Sequence, residues 1–410
     1  MLGIYIHVPF CDGKCPYCDF YSLPLAGELK EPMLAGPDTQ DVRLDYINQI
    51  CVHLAQWGKV LGNPKASTLY FGGGTPGLLG AAGLSRLVQA AKENFDLAGA
   101  EITAELNPAS AGAIDFDKLR WGGVNRLSIG LQSADPTELR LLGRRHTVLQ
   151  AEQTVRRAQA AGFDNISLDL MLAIPGQTDE SLARSVDFCA RLDVQHISAY
   201  LLKIEEGTPF AACQNGLGLP DDDGQARRYL LACRLLEQAG YGQYEISNFS
   251  KPHRESRHNL NYWNMGDYLG LGPGAHSFFG QSLVCCAQKA GMPLAIGAKL
   301  PAGRAIRFYC PPDLAAFLGS AWPAELIEEE EDGEISPGSP QEYAMLRLRL
   351  ASGLIEEEYR RRFGTPIPEK WQKAARRYEP HGLTRCSQQG FCFTKEGFLV
   401  SNRLTAEILF

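Results

Sequence analysis

Two hydrophobic rhythms alternate along most of the chain. Short apolar, β-branched runs give way to longer stretches in which apolar residues recur at helical spacing. Ile4–Val8 reads as a first strand, ended by Pro9. Val42–Trp57 reads as a helix whose apolar face carries Leu44, Ile47, Ile50, Val52 and Leu54. Further strands are predicted at Ser67–Phe71, Glu101–Leu106, Arg126–Leu131, Asn165–Leu172 and His196–Leu202. Helices are predicted at Leu84–Phe95, Ile114–Trp121, Thr137–Leu142, Leu149–Ala161, Asp179–Leu192 and Gln225–Ala239. Strands that alternate with helices pair in parallel through right-handed crossovers. Six such strands point to an α/β fold with a curved, barrel-like sheet.

The remaining stretches read differently. Leu23–Gln40 is broken by Pro24, Gly27, Pro32, Gly36 and Pro37 and is expected as an irregular loop. Glu325–Glu334 is acidic, runs into Ser336–Pro340, and is expected as a solvated linker. Tyr343–Leu350 and Tyr359–Phe363 are helical in pattern. Phe391–Thr394 and Phe398–Ser401, joined through Lys395–Gly397, are expected as a hairpin. Helices followed by a small hairpin suggest a winged-helix-like α+β module. Winged helices often bind DNA, but Arg360–Arg362 and Arg376–Arg377 are its only basic clusters. The module is therefore read as a lid or packing domain.

Composition narrows the function. The chain has 410 residues, of which 45% are hydrophobic, enough for one large domain and a smaller one. The net charge of −7 argues against a nucleic-acid partner, which normally leaves a basic footprint. No apolar run reaches transmembrane length, and the first residues lack a signal-peptide pattern. The expected location is the cytoplasm. Nine of the twelve cysteines are scattered, as free thiols in a reducing compartment are.

The other three stand together. Cys11, Cys15 and Cys18 form a C-x3-C-x2-C loop directly after the first strand. Closely spaced thiolates hold iron–sulfur clusters, and three of them leave one iron of a [4Fe–4S] cube open. An open metal position is where a substrate binds. A zinc site is the competing reading, but zinc favours four ligands in C-x2-C pairs, and no second pair follows. More unusual residues fall at strand ends. Gly72–Pro76 follows the second strand, Glu105–Pro108 ends the third, Gln132 ends the fourth and Asp169 lies on the fifth. Parallel barrels carry their chemistry at the C-terminal ends of strands. Each feature has a plainer reading: a tight glycine connection, a helix-cap carboxylate, a strand-end amide. Asp169 is harder to explain structurally, because a carboxylate inside an apolar strand needs a partner. Arg144, or a ribose or amine, would serve.

Taken together these motifs resemble the radical S-adenosylmethionine (SAM) superfamily, in its coproporphyrinogen III oxidase-like branch. The resemblance spans Tyr5–Cys11, Gly72–Pro76, Glu105–Pro108, Ser128–Ser133, Leu142–His146, Ser167–Met171 and the C-terminal segment. It implies an incomplete parallel (β/α)6 barrel over 1–245, a connecting segment over 246–325 and a smaller C-terminal domain over 326–410. It implies that Cys11, Cys15 and Cys18 bind a [4Fe–4S] cluster. It also implies that Tyr5, Tyr17, Gly73, Gly74, Thr75, Glu105, Gln132, Arg144 and Asp169 line the SAM site, with no catalytic side chain assigned. Two features set the branch. Oxygen-independent coproporphyrinogen III dehydrogenases carry a fourth cysteine two residues after the third, where this chain has Phe20. They also carry a long arm before the cluster, where only ten residues stand here. Both departures are similar to the HemW-type haem chaperones of this porphyrin-biosynthesis branch. So is Arg257–Trp263, which resembles their His-Asn-x-x-Tyr-Trp motif and makes His258 a candidate haem ligand. The competing reading is a core histidine; His276 in the following Gly-Pro-Gly-Ala-His is a further candidate. The expected function is haem transfer to respiratory membrane proteins, with an electron donor as a further partner. Peripheral membrane contact and dimerisation are compatible with it. The alternative is oxidative decarboxylation of coproporphyrinogen III.

Overall fold

The computed structural model describes residues 2–25, 41–213, 216–290, 304–320, 327–328 and 335–410. Beyond Leu25, the expected loop Leu23–Gln40 lies outside the described residues, as does the expected acidic linker apart from Ile327–Glu328.

Six parallel strands follow one another across the main sheet: β1 (Leu2–Val8), β2 (Ala66–Gly73), β3 (Glu101–Leu106), β4 (Arg126–Gln132), β5 (Ile166–Leu172) and β6 (His196–Leu201). Between and after them run α1 (Val42–Leu61), α2 (Gly80–Asn94), α3 (Phe116–Trp121), α4 (Pro136–Leu141), α5 (Val148–Ala160), α6 (Asp179–Arg191) and α7 (Asp222–Gln238). The expected incomplete (β/α)6 barrel is present. Sequence-coded caps set its helix starts: Thr147 and Thr178 each close a capping box over α5 and α6. One helix face differs from expectation. Leu44 and Val52 of α1 are 50% and 46% exposed, and the buried stripe instead includes Tyr46, His53 and Trp57. Counting only aliphatic residues rotated the predicted face away from these rings.

The barrel stays open because other strands cap both edges. β7 (Asn248–Ser250) pairs antiparallel with β6. Then α8 (Arg257–Trp263) leads into β8 (Tyr268–Leu271), a seventh parallel strand on the outer side of β1. β9 (His276–Phe279) and β10 (Ile306–Tyr309) extend that edge antiparallel. α9 (Gln281–Lys289) and α10 (Leu314–Gly319) pack on α1. The sequence pattern did not show these added strands, which are only three or four residues long.

The C-terminal part runs α11 (Pro340–Arg347), β11 (Leu354–Ile355), α12 (Glu356–Phe363), α13 (Glu369–Arg376), β12 (Thr384–Ser387) and β13 (Gly390–Phe393). Its sheet order is β11–β13–β12, all antiparallel. Helix, strand, two helices and two strands in that order make a winged helix. The expected hairpin, however, is misplaced. The true hairpin joins β12 to β13, and Lys395–Leu399 is α14, followed by α15 (Ser401–Leu409). Thr394 decides this: its side chain accepts from the Gly397 amide at 3.0 Å and starts a helix where the Lys-Glu-Gly run suggested a turn.

Candidate functional site

Strand side chains alternate between faces, and in this barrel the alternation sorts apolar from polar. On β3, Ile102, Ala104 and Leu106 are buried outward, leaving Thr103 and Glu105 inward. On β4 the outward set is Leu127, Ile129 and Leu131, and the inward set is Arg126, Ser128, Gly130 and Gln132. Asp169 and Met171 turn inward from β5, and Ser198 from β6. All of these inward residues but Thr103 line a cavity of about 400 Å³, the size of a small-molecule site.

Cys11, Cys15 and Cys18 line the same cavity on a loop clamped from two sides. On one side the Gly74 amide donates to the Val8 carbonyl at 2.8 Å, and the Thr75 amide to the Phe10 carbonyl at 2.6 Å. A Cβ at Gly74 would stand 2.4 Å from the Phe10 oxygen. Gly73 has φ 101°, and its Cβ would stand 2.6 Å from the His7 ring. The glycines therefore let the two loops touch. The Gly74 and Thr75 amides are spent on that contact rather than left for a ligand. On the other side the Arg145 guanidinium donates to the Asp12 carbonyl at 2.7 Å. Pro16 sits where a Cβ at Gly143 would be, 2.7 Å away. Arg144 Nη1 reaches to 3.6 Å from Cys15 Sγ, and Thr75 Oγ1 lies 3.6 Å from Cys11 Sγ. Burial pushes the Cys18 thiol up, as do the neighbouring thiols.

Two carboxylates face the thiols across the cavity. Glu105 accepts from the Tyr70 hydroxyl at 2.7 Å, and burial pushes its carboxyl up to about 7. Asp169 accepts from Ser128 Oγ at 3.2 Å and is also raised by burial. Arg144 is not its ion-pair partner, because Nη2 is committed to Asn107 Oδ1 at 3.0 Å and the Gly130 carbonyl at 2.9 Å. Gln132 has φ 69°, and the β4–β5 register slips between Ile129 and Gln132. Such a bulge re-aims a strand-end side chain, and a left-handed non-glycine residue stores strain. Tyr17 lines the cavity with its ring tilted against Phe210.

Two expected residues lie elsewhere. Tyr5 lines a second cavity, of about 570 Å³, on the far side of Phe20 and Tyr21. His258 is 2% exposed with both ring nitrogens engaged: Nδ1 with Thr68 Oγ1 at 2.7 Å and Nε2 with the Tyr262 hydroxyl at 2.8 Å. Burial lowers its pKa to about 3. It is a core histidine, not an open iron ligand. Reading from sequence missed Arg126, Ser128, Ser198 and the Arg145 clamp. Arg126 is 2% exposed at the cavity floor, and its Nε has no hydrogen-bond partner. The period-2 polar positions inside the strands would have signalled all but the clamp.

Known proteins are similar to this chain in sequence and fold. The Radical SAM superfamily profile matches residues 5–189. Heme chaperone HemW of Bacillus subtilis is 30% identical over 100% of this chain and 99% of its own length. The chain belongs to the HemW family of radical SAM proteins. HemW of Mycobacterium tuberculosis H37Rv is 40% identical over 68% of this chain and 70% of that protein. The structure of coproporphyrinogen III oxidase (HemN) from Escherichia coli, at 22% identity, superposes with a TM-score of 0.73 over 100% of this chain and 90% of that one. That likeness is one of fold. Radical SAM proteins hold a [4Fe–4S] cluster and SAM, and the residues of this HemW-family chain fit both. Among the described residues no three His, Cys, Asp or Glu side chains converge on a single-ion position. Three thiols on one loop beside the cavity fit a cluster, which takes one thiolate per iron. The cavity beside it offers two buried carboxylates to a cationic ligand and an unpartnered guanidinium nitrogen below them.

Proposed function

We propose that this chain is a cytoplasmic haem chaperone. It binds haem, is governed by a [4Fe–4S] cluster and SAM, and passes haem to respiratory membrane proteins. Support comes from relatives named heme chaperone that align along the full chain. No described helix is long and apolar enough to cross a membrane. The observation that carries the reading is Phe20. It stands where the dehydrogenases have their fourth cysteine, and it is 59% exposed at the rim of the thiol cavity.

In this reading Cys11, Cys15 and Cys18 hold three irons. When bound, the cluster supplies one electron for cleaving a C–S bond of SAM. Arg144 and Thr75 flank Cys15 and Cys11 and hold the thiolates in place. Glu105, Asp169 and Gln132 orient the amine, ribose and carboxylate-bearing parts of SAM by charged and polar contacts. The glycine loop, packed on His7 and Phe10, holds the thiol loop beside the cavity. An electron donor completes the set.

The test is anaerobic. The reconstituted protein is given SAM, reductant and coproporphyrinogen III, and separately haem. The expected result is haem uptake without protoporphyrinogen. Formation of protoporphyrinogen together with 5′-deoxyadenosine would make the chain a decarboxylase. Cys15→Ser should abolish the visible absorbance of the cluster; a normal cluster in that variant would remove the metal assignment.

A further inference from the structure

One charged side chain of the thiol-side cavity has no part in the chemistry above. Arg126 points inward from the start of β4 and is 2% exposed, yet it lines the cavity. The strand register pairs it with Thr103, and pairs Ser128, two residues on, with Glu105. Arg126 therefore lies one inward layer below Glu105, on the side away from the cysteine loop. Its guanidinium makes no hydrogen bond or ion pair among the described residues, and Thr103 Oγ1 beside it is also unpartnered. A buried cation normally sits in a pair. One without a pair is not a structural bridge, and its field reaches the acids that share its low-dielectric surroundings.

Three acids feel that field. Glu105 and Asp169 stand in the same cavity, and Glu101, at the start of β3, accepts from the His258 amide at 3.2 Å. The other titratable groups facing them are neutral near pH 7. Burial raises the hydroxyls of Tyr5, Tyr70, Tyr244 and Tyr262 and the Cys189 thiol. Burial lowers His196 and His258. Tyr200, on β6, is a phenol with its pKa raised as well. Arg144, the other cation of the cavity, is bonded to Asn107 and the Gly130 carbonyl and reaches towards Cys15. Acids crowded together in a buried site hold protons unless a positive charge stands by. Burial raises the carboxyls of Glu105 and Asp169, and Arg126 acts against it on both.

We infer, on the reading of this cavity as the SAM site, that Arg126 is a positioning residue: without touching the ligand, it supplies the buried positive charge that keeps Glu105 and Asp169 ionised to receive the sulfonium and ammonium of SAM. A charge below the acids strengthens the binding of a cation above them, because it decides whether they are carboxylates at all.

Cluster-loaded protein is titrated with SAM in anaerobic calorimetry from about pH 6 to about pH 8.5, each variant read against the wild type at the same pH. Arg126→Gln should bind SAM about fivefold more weakly near pH 7 and move the midpoint of the pH profile up by about one pH unit, with affinity returning towards wild type as pH rises. Arg126→Met, which fills a similar volume without a polar head, is the second variant should Arg126→Gln not fold or load the cluster. Arg126→Lys, which keeps a charge, should return the midpoint most of the way. An unmoved midpoint in a folded, uncharged variant would overturn the inference. So would a loss of affinity equal at every pH, which marks a direct contact or a structural role. A wild-type protein that takes up no SAM would remove the reading of the cavity itself, and Arg126's role with it.

Discussion

The residue with most leverage on ligand binding is Glu105. Its ordinary value is 4.5, and burial raises it to about 7 despite the Tyr70 hydrogen bond. Between those values the folded chain holds a proton that the unfolded chain has lost. Its contribution to stability is therefore full below about pH 4.5 and declines as pH rises towards 7. A cationic ligand acts oppositely, favouring the ionised form. SAM carries a sulfonium and an ammonium, so its binding near neutral pH should release a proton. Calorimetry in buffers of different ionisation enthalpy should give different apparent binding heats, and Glu105→Gln should erase the difference. Equal heats for the wild-type protein would show that Glu105 does not face the cation. Gly74 is the other sensitive position. A methyl group there meets the Phe10 carbonyl at 2.4 Å. Gly74→Ala should cost about 1–3 kcal/mol in thermal unfolding and lower iron and sulfide content, because the strain falls on the cysteine loop.

At the scale of elements, the Leu-Gly-Arg-Arg-His turn after α4 behaves as a clasp on the cysteine loop through Arg145, Gly143 and Arg144. Arg145→Ala should speed alkylation of the three loop thiols in cluster-free protein and leave the unfolding midpoint nearly unchanged. An unchanged alkylation rate would mean the loop is ordered without it. The barrel strands were legible because their apolar residues are dense and their boundaries carry glycine, proline and capping residues. The direction of their polar alternation was legible too, in Ile166–Leu172 above all, but the apolar members masked it. The winged helix was reached from a hairpin placed one element too late. Gly390, at φ 134° with Leu354 backbone where its Cβ would be, marks the true strand. Thr394 was read as strand but caps a helix, so Thr394→Ala should cost about 1 kcal/mol. His258 shows where motif likeness and geometry part. The motif made His258 a candidate ligand, whereas its ring is bonded to Thr68 and Tyr262.

For the whole molecule, Arg347 joins the parts. It is 4% exposed, lies 3.0 Å from Glu358 and donates to the Gly353 carbonyl at 3.0 Å. It also bonds to Asn264, just after α8. Removing one partner of a buried pair costs about 3–5 kcal/mol. Glu358 is partly exposed, so Arg347→Ala should fall at the low end, seen by calorimetry as a lower melting temperature. An unchanged melt would show that the winged helix does not stabilise the barrel. A last consequence follows from Asp19 and Phe20, which line both cavities. Two ligands that share a wall have linked equilibria. Any factor by which a ligand in the second cavity alters SAM affinity must reappear, equal in size, in the effect of SAM on that ligand. Two adjacent residues, Asp19 and Phe20, are thus the shortest route by which occupancy of one cavity would be felt at the other.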